Sequence, residues 1–270
     1  MVRLKKIVAI LATFFMVVGL ASCGGKHKVT ISVDNTNTSD TPKATKKYII
    51  ATNTLFAPFE FQNKFGEYVG IDIDLLNEIA KDQGFEYELV HMTFNQMLQA
   101  LAAGEVDAAM GGISITDERK EIYDYSEPYL EGGIVMAVDA TRHDIKGFDD
   151  LKGKTVAVAV ALGTEAESYA QSIKDKYGFE LVTFPEFNQV YQDVISGNSQ
   201  ALFEDYPVMG YLISQGVELK IVSDIEKKSP YGFAVPKGKN GELLEMFNKG
   251  LKNIMENGVY DKVINTYVQS

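Results

Sequence analysis

Residues 70–112 read GIDIDLLNEIAKDQGFEYELVHMTFNQMLQALAAGEVDAAMGG, and this stretch decides the fold. Ile73, Leu76, Ile79 and Ala80 recur at helical spacing, Asp72 and Asp74 sit where a first turn favours acids, and Gly84 follows the last turn, which predicts a helix over 70–84. FEYELVH (85–91) then reads as a strand, FNQMLQALAAG (94–104) as a helix closed by Gly104, and VDAAMGG (106–112) as a strand running into a glycine pair. Helix and strand alternating in this way point to an α/β fold with a mainly parallel sheet.

The same alternation extends in both directions. Upstream, YIIAT (48–52) is the first strand, and downstream ISITDERK (113–120) is a turn opening a short helix. EGGIVMAVDA (131–140) leaves this unit through Gly132 and Gly133. A second set follows: strand TVAVAV (155–160), helix 165–178, strand ELVTF (180–184), helix 188–197, strand ALFED (201–205), helix 207–216 and strand LKIVS (219–223). SPYGFAVPKG (229–238) is extended again, and 240–268 is helical with a break near Asn257-Gly258. That last segment must pack on something already formed, so it is expected to return to the first unit. The expected division is lobe 1 over 47–131 and 231–270 and lobe 2 over 132–230, joined by two strands acting as a hinge.

At the N-terminus Arg3, Lys5 and Lys6 precede an apolar run from Ile7 to about Leu20, then the small residues Ala21 and Ser22. This is the pattern of a secretory signal peptide over 1–22, and the run is shorter than the about 20 apolar residues of a spanning helix. Cys23 is the only cysteine, so an internal disulfide is excluded. Leu20-Ala21-Ser22-Cys23-Gly24 resembles the bacterial lipobox, which implies lipidation at Cys23, a lipid anchor, and a body held on the extracytoplasmic face of the cell membrane. Residues 23–46 are rich in Thr, Asn, Ser, Asp and Lys and poor in large apolar side chains, and read as a flexible tether.

The formal charge is −11, and loss of the leader's three cations would make the remainder more negative. A nucleic-acid partner is therefore not expected. Enzyme signatures fail: there is no GxSxG elbow, and His27, His91 and His143 lie far apart without metal-ligand spacing. Gly147 and Gly153-Lys154-Thr155 are wrongly spaced for a phosphate loop and precede a strand rather than a helix. No metal and no cofactor is called for.

What remains suits a zwitterion. A free amino acid offers a carboxylate, which an arginine fork or a helix N-terminus binds, and an ammonium, which needs a carboxylate and carbonyls. Arg119 and Asp205 are the candidates, each read as lying at the end of a strand, where open α/β sheets place their ligands. Taken singly, Arg119 reads rather as a solvated helix charge beside Asp117, Glu118 and Lys120, and Asp205 similarly as an ordinary surface acid.

ATNTLFAPFEF, VGIDIDLLNEIA, GGISITDERK, YSEPY, DLKGKTVAV, LGTEAESYA and PYGFAVPKG, in that order over about 48–268, resemble the polar amino acid binding proteins of bacterial ABC importers. The likeness is strongest to the glutamine, arginine and lysine/histidine binders. It implies the two-lobed class II periplasmic-binding-protein fold, a monomer that closes on its ligand and an ABC permease as partner. By the same resemblance Gly112 and Ser114 meet the ammonium, Arg119 the carboxylate, Asp205 the ammonium as counter-ion, and Thr164 and Glu165 offer backbone N–H groups to the carboxylate. Phe56 and Phe94 would sandwich the ligand's side chain.

Asn53 stands where the family usually has Asp, which suits a neutral amide and makes glutamine the expected ligand, with a basic amino acid or cystine as the alternative. Ala161 stands where relatives often carry Lys or Gln, and the 159–165 loop is longer than usual. Glu204, beside Asp205, would tilt the site toward a basic ligand if it faced the cleft. Arogenate or prephenate dehydratases share this fold and would need Glu165 or Glu204 as proton donor; the zwitterion clamp and the tether favour a binder without catalysis.

Overall fold

The computed structural model describes residues 46–53, 55–159 and 164–268. The leader, Cys23, the tether through residue 45 and Ala161 lie outside these residues. From its start the chain forms β1 (Lys47–Asn53), a small hairpin of β2 (Phe61–Gln62) and β3 (Tyr68–Val69), α1 (Ile71–Gln83), β4 (Glu86–Met92), α2 (Phe94–Ala103) and β5 (Ala108–Ala109). Next come α3 (Asp117–Lys120), β6 (Tyr123–Tyr125) and β7 (Leu130–Glu131). The second set is β8 (Ile134–Asp139), β9 (Thr155–Ala159), α4 (Glu165–Tyr177), β10 (Glu180–Phe184), α5 (Phe187–Ile195), β11 (Ala201–Asp205), α6 (Tyr206–Ser214) and β12 (Leu219–Ile221). β13 (Pro230–Tyr231), β14 (Ala234–Pro236), α7 (Gly241–Glu256) and α8 (Val259–Tyr267) complete the chain.

The local signals account for the helices. α1 buries Ile71, Leu75, Leu76 and Ile79 and stops where Gly84 turns left-handed (φ 69°), its N–H returning to Ala80 O. Thr93 and Gln96 form a reciprocal capping box at the start of α2. α7 packs on α1 so closely that a Cβ on Gly250 would stand 2.8 Å from Ile79 Cγ2. The Tyr267 hydroxyl of α8 donates to Asp74 Oδ2. The C-terminal helices thus return to the first unit.

Two five-stranded sheets result, ordered β4-β1-β5-β14-β6 and β10-β9-β11-β8-β12. Around β1 and around β9 the pairing is parallel, as the alternating pattern predicts. Both sheets are nevertheless mixed, since β14 runs antiparallel to β5 and β6, and β8 antiparallel to β11 and β12. Each of these strands follows directly on a member of a separate pair, in which β7 and β13 run antiparallel with Leu130 opposite Tyr231 and Glu131 opposite Pro230. The chain leaves the first sheet along β7 and comes back along β13, and a strand that enters from a crossing runs against its neighbours. Gly132 fits this crossing because a Cβ there would lie 2.5 Å from the Tyr231 ring.

Candidate functional site

β11 carries three fully buried apolar residues, Ala201, Leu202 and Phe203, and then two acids. Glu204 is 1% exposed, with Oε2 accepting from the Tyr191 hydroxyl at 2.8 Å and Oε1 from the Asp205 N–H at 2.9 Å. Asp205 Oδ1 and the Tyr231 hydroxyl are buried without a well-formed hydrogen bond, yet they lie close enough that the phenol lowers the acid's pKa. The net shift of Asp205 is upward, because burial dominates and Glu165 adds repulsion while Arg119 opposes it. Glu204 is also raised, by burial first and then by the neighbouring Asp205 charge.

α4 begins at Thr164, whose hydroxyl accepts from Glu167 N and leaves the helix N-terminus facing the same space. The Glu165 carboxylate is buried; Oε1 accepts from Ser229 Oγ at 2.6 Å and lies 3.9 Å from Lys227 Nζ, while Oε2 has no partner. On the opposite side the Thr116 hydroxyl caps the four-residue α3 by accepting from Arg119 N. Arg119 reaches back through Nη1 to Ser114 O at 3.0 Å and sits 5.5 Å over the Phe94 ring. It therefore stands on a short helix after β5 rather than at a strand end, whereas Asp205 does end its strand.

Phe56, Phe94, Gly112, Ser114 and Arg119 from one side, and Thr164, Glu165 and Asp205 from the other, line a single narrow cavity. At Gly112 a side chain is excluded, since φ is 59° and a Cβ would meet Phe56 Cε1 at 2.7 Å. Asn53 alone of the candidate residues is not on the lining; it is buried at the end of β1. Glu204 is on the lining. So are Phe187 and Ala166, which the sequence reading did not single out. Phe187 packs on Phe56 with centroids 4.7 Å apart. Its position at the first turn of a helix that follows the end of strand β10 is the signal that could have found it. A larger, more open space of about 340 Å³ shares Arg119 and Glu165 with the cavity and adds Lys227 and Ser229. Among the described residues no group of His, Cys, Asp and Glu could hold a metal ion.

The site thus sets Arg119 on one side against the α4 N-terminus, Glu165, Glu204 and Asp205 on the other, between aromatic walls. Residues 48–270 match the bacterial extracellular solute-binding proteins, family 3. The chain is 30% identical over 261 residues to the arginine-binding extracellular protein ArtP of Bacillus subtilis, covering 96% of each. It is 42% identical to the second substrate-binding domain of GlnP from Lactococcus lactis, solved in an open conformation, with a TM-score of 0.61 and coverage of 85% of this chain and 98% of that one. An ancestral arginine-binding protein, solved with arginine and with glutamine, is 36% and 35% identical and aligns with a TM-score of 0.75 in both cases, covering 82–83% of this chain and 97–98% of that one. A family match over nearly the whole described chain, with the two-lobed fold alongside it, leaves one conclusion: this chain belongs to the family 3 bacterial extracellular solute-binding proteins.

Proposed function

We propose that this protein is the solute receptor of an ABC importer, capturing a polar amino acid between its two sheets and delivering it to the permease. The carrying observation is the placement of Arg119 and Asp205 on one aromatic-walled cavity, with the start of α4 beside them. The ligand carboxylate goes to Arg119 and the N-terminus of α4, and its ammonium to Asp205, Ser114 and the Gly112 carbonyl. Lobe 1 comprises 47–131 and 231–270, lobe 2 comprises 132–230, and the β7–β13 pair is the hinge.

Glutamine is the ligand this site suits best. Arg119 and Lys227 balance Asp205 and Glu165, and burial favours the uncharged form of Glu204, so a neutral zwitterion leaves no net charge in the closed site. A basic amino acid is the second reading, because Glu204 lines the cavity and its ionisation would add one negative charge. Catalysis is not favoured by the two candidate acids as they stand, since Glu204 accepts a hydrogen bond on each oxygen and Glu165 Oε1 is held by Ser229.

A thermal-shift panel of the standard amino acids tests the reading. A ligand at about 100 times its Kd adds about 2.7 kcal/mol, or roughly 5–10 °C for a domain of this size. Glutamine is expected to give the largest shift; arginine or lysine leading would select the basic reading, and no shift from any would overturn the function. The lipobox resemblance adds a second expectation, that Cys23→Ser abolishes lipid labelling and releases the protein from the membrane fraction. Undiminished labelling in that variant would remove the anchor from the proposal.

A further inference from the structure

Behind the cavity lie two acids that the binding reading does not use. Glu60 is 0% exposed and Asp72, in the first turn of α1, is 1% exposed. Neither has a cation partner among the described residues. Both Glu60 oxygens and Asp72 Oδ1 are buried without a hydrogen bond. Acids are rarely retained in a core on these terms, because each must be desolvated or kept protonated at a cost to folding.

The remaining oxygen has a specific task. Asp72 Oδ2 accepts from the Gly112 N–H at 2.9 Å and from the Tyr129 hydroxyl at 3.0 Å. Gly112 is on the cavity lining, in the loop that leads to Ser114 and Arg119. Tyr129 is fully buried next to β7; its N–H donates to Tyr231 O, and Tyr231 is the β13 partner of Leu130. One oxygen therefore joins the ligand loop to the strand pair on which the chain crosses between sheets.

We propose that Asp72 is a positioning residue for ligand capture, fixing the Gly111–Gly112 peptide from which the Gly112 carbonyl reaches the ligand and tying it to the β7–β13 pair through Tyr129. The proposal rests on the amino-acid reading of the cavity. When the strand pair flexes, Tyr129 moves against the same oxygen that holds Gly112, so the loop and the crossing adjust together. An Asp72→Asn side chain has the same shape; its carbonyl can accept from Gly112 and its amide can donate to a Tyr129 hydroxyl turned to accept. Asp72→Ala offers neither bond.

The test is calorimetric titration of the wild type, Asp72→Ala, Asp72→Asn and Tyr129→Phe with the best panel ligand, together with Tm and hydrogen exchange at Gly112 without ligand. The expected result is an affinity about tenfold or more weaker for Asp72→Ala, recovery to within about threefold of wild type for Asp72→Asn, and faster Gly112 exchange in Asp72→Ala. A residue that merely supports the fold would lower Tm and leave both affinity and Gly112 exchange as in wild type, and that outcome overturns the proposal. If Asp72→Ala does not fold, Tyr129→Phe decides: an affinity at least about threefold weaker supports the tie, and wild-type affinity overturns it. Should the wild type bind no amino acid, the functional reading fails by itself, while Gly112 exchange still reads the tie.

Discussion

Arg119→Ala and Asp205→Ala are each expected to weaken binding of the preferred amino acid by more than about thirtyfold while leaving the fold intact. Removing one member of a desolvated, hydrogen-bonded charge pair costs about 2–5 kcal/mol, and about 1.4 kcal/mol is a factor of ten in affinity. The two losses differ in kind. Arg119→Ala also gives up the bond to Ser114 O and the position over Phe94, so the loop that carries Ser114 loosens. Asp205→Ala removes an acid whose Oδ1 is buried without a hydrogen bond, so its apo form should be at least as stable as wild type at neutral pH. Calorimetry giving both variants within about threefold of wild type would show that the ligand's charged ends are held elsewhere.

Changing the pH should move apo stability and ligand affinity in opposite directions. Burial raises the pKa of Glu60, Glu204 and Asp205, and takes Asp72 to about 7. In the unfolded chain these carboxyls ionise in the ordinary carboxylate range; in the fold they hold their protons to higher pH. The native state then binds more protons, and its stability falls as pH rises from about 4 toward about 8. Asp82, Asp124, Asp139 and Asp144 have lowered values, but their contribution is lost only below the ordinary carboxylate range and so lies outside this window; His91, lowered by burial, opposes the trend within it, one group against four. Ligand binding has the other sign, because the ammonium needs Asp205 ionised, and each pH unit below its folded pKa weakens binding up to about tenfold. Between about pH 8 and about pH 5 the apo Tm should rise by about 5 °C or more while affinity falls about tenfold or more. An apo Tm that climbs steadily from about pH 5 to about pH 8 would mean that these buried acids are already ionised in the fold.

The long elements of this architecture were legible because their signals are local. A capping residue, a glycine stop and a 3.6-residue apolar period lie within α1 and α2 themselves. The two-residue strands β2, β3 and β5 carry too few residues for any period, and the strand read over 106–112 shrinks to Ala108–Ala109 because the chain must turn into the cavity loop at once. Antiparallel β14 and β8 were hidden for another reason: direction within a sheet is set by where the chain re-enters, which no window of sequence records. In the site, Phe56, Phe94, Gly112, Ser114, Arg119, Thr164, Glu165 and Asp205 were reached through ordered motifs, and they share one cavity. Phe187 was not, since its contact with Phe56 joins rings from segments far apart in sequence.

The position of β14 governs the order in which the molecule can be assembled. β14 lies between β5 and β6, and α7 packs on α1, so the first sheet is completed by segments that emerge after the whole second sheet. The β8 to β12 sheet is contiguous in sequence and can close as soon as residue 221 has emerged. A chain delivered N-terminus first therefore spends most of its passage with β5 lacking its neighbour, unable to lock its leading half into a stable body. Residues 234–267 are accordingly the segment whose truncation would leave β5 and β6 without the strand between them, an open-edged and aggregation-prone sheet.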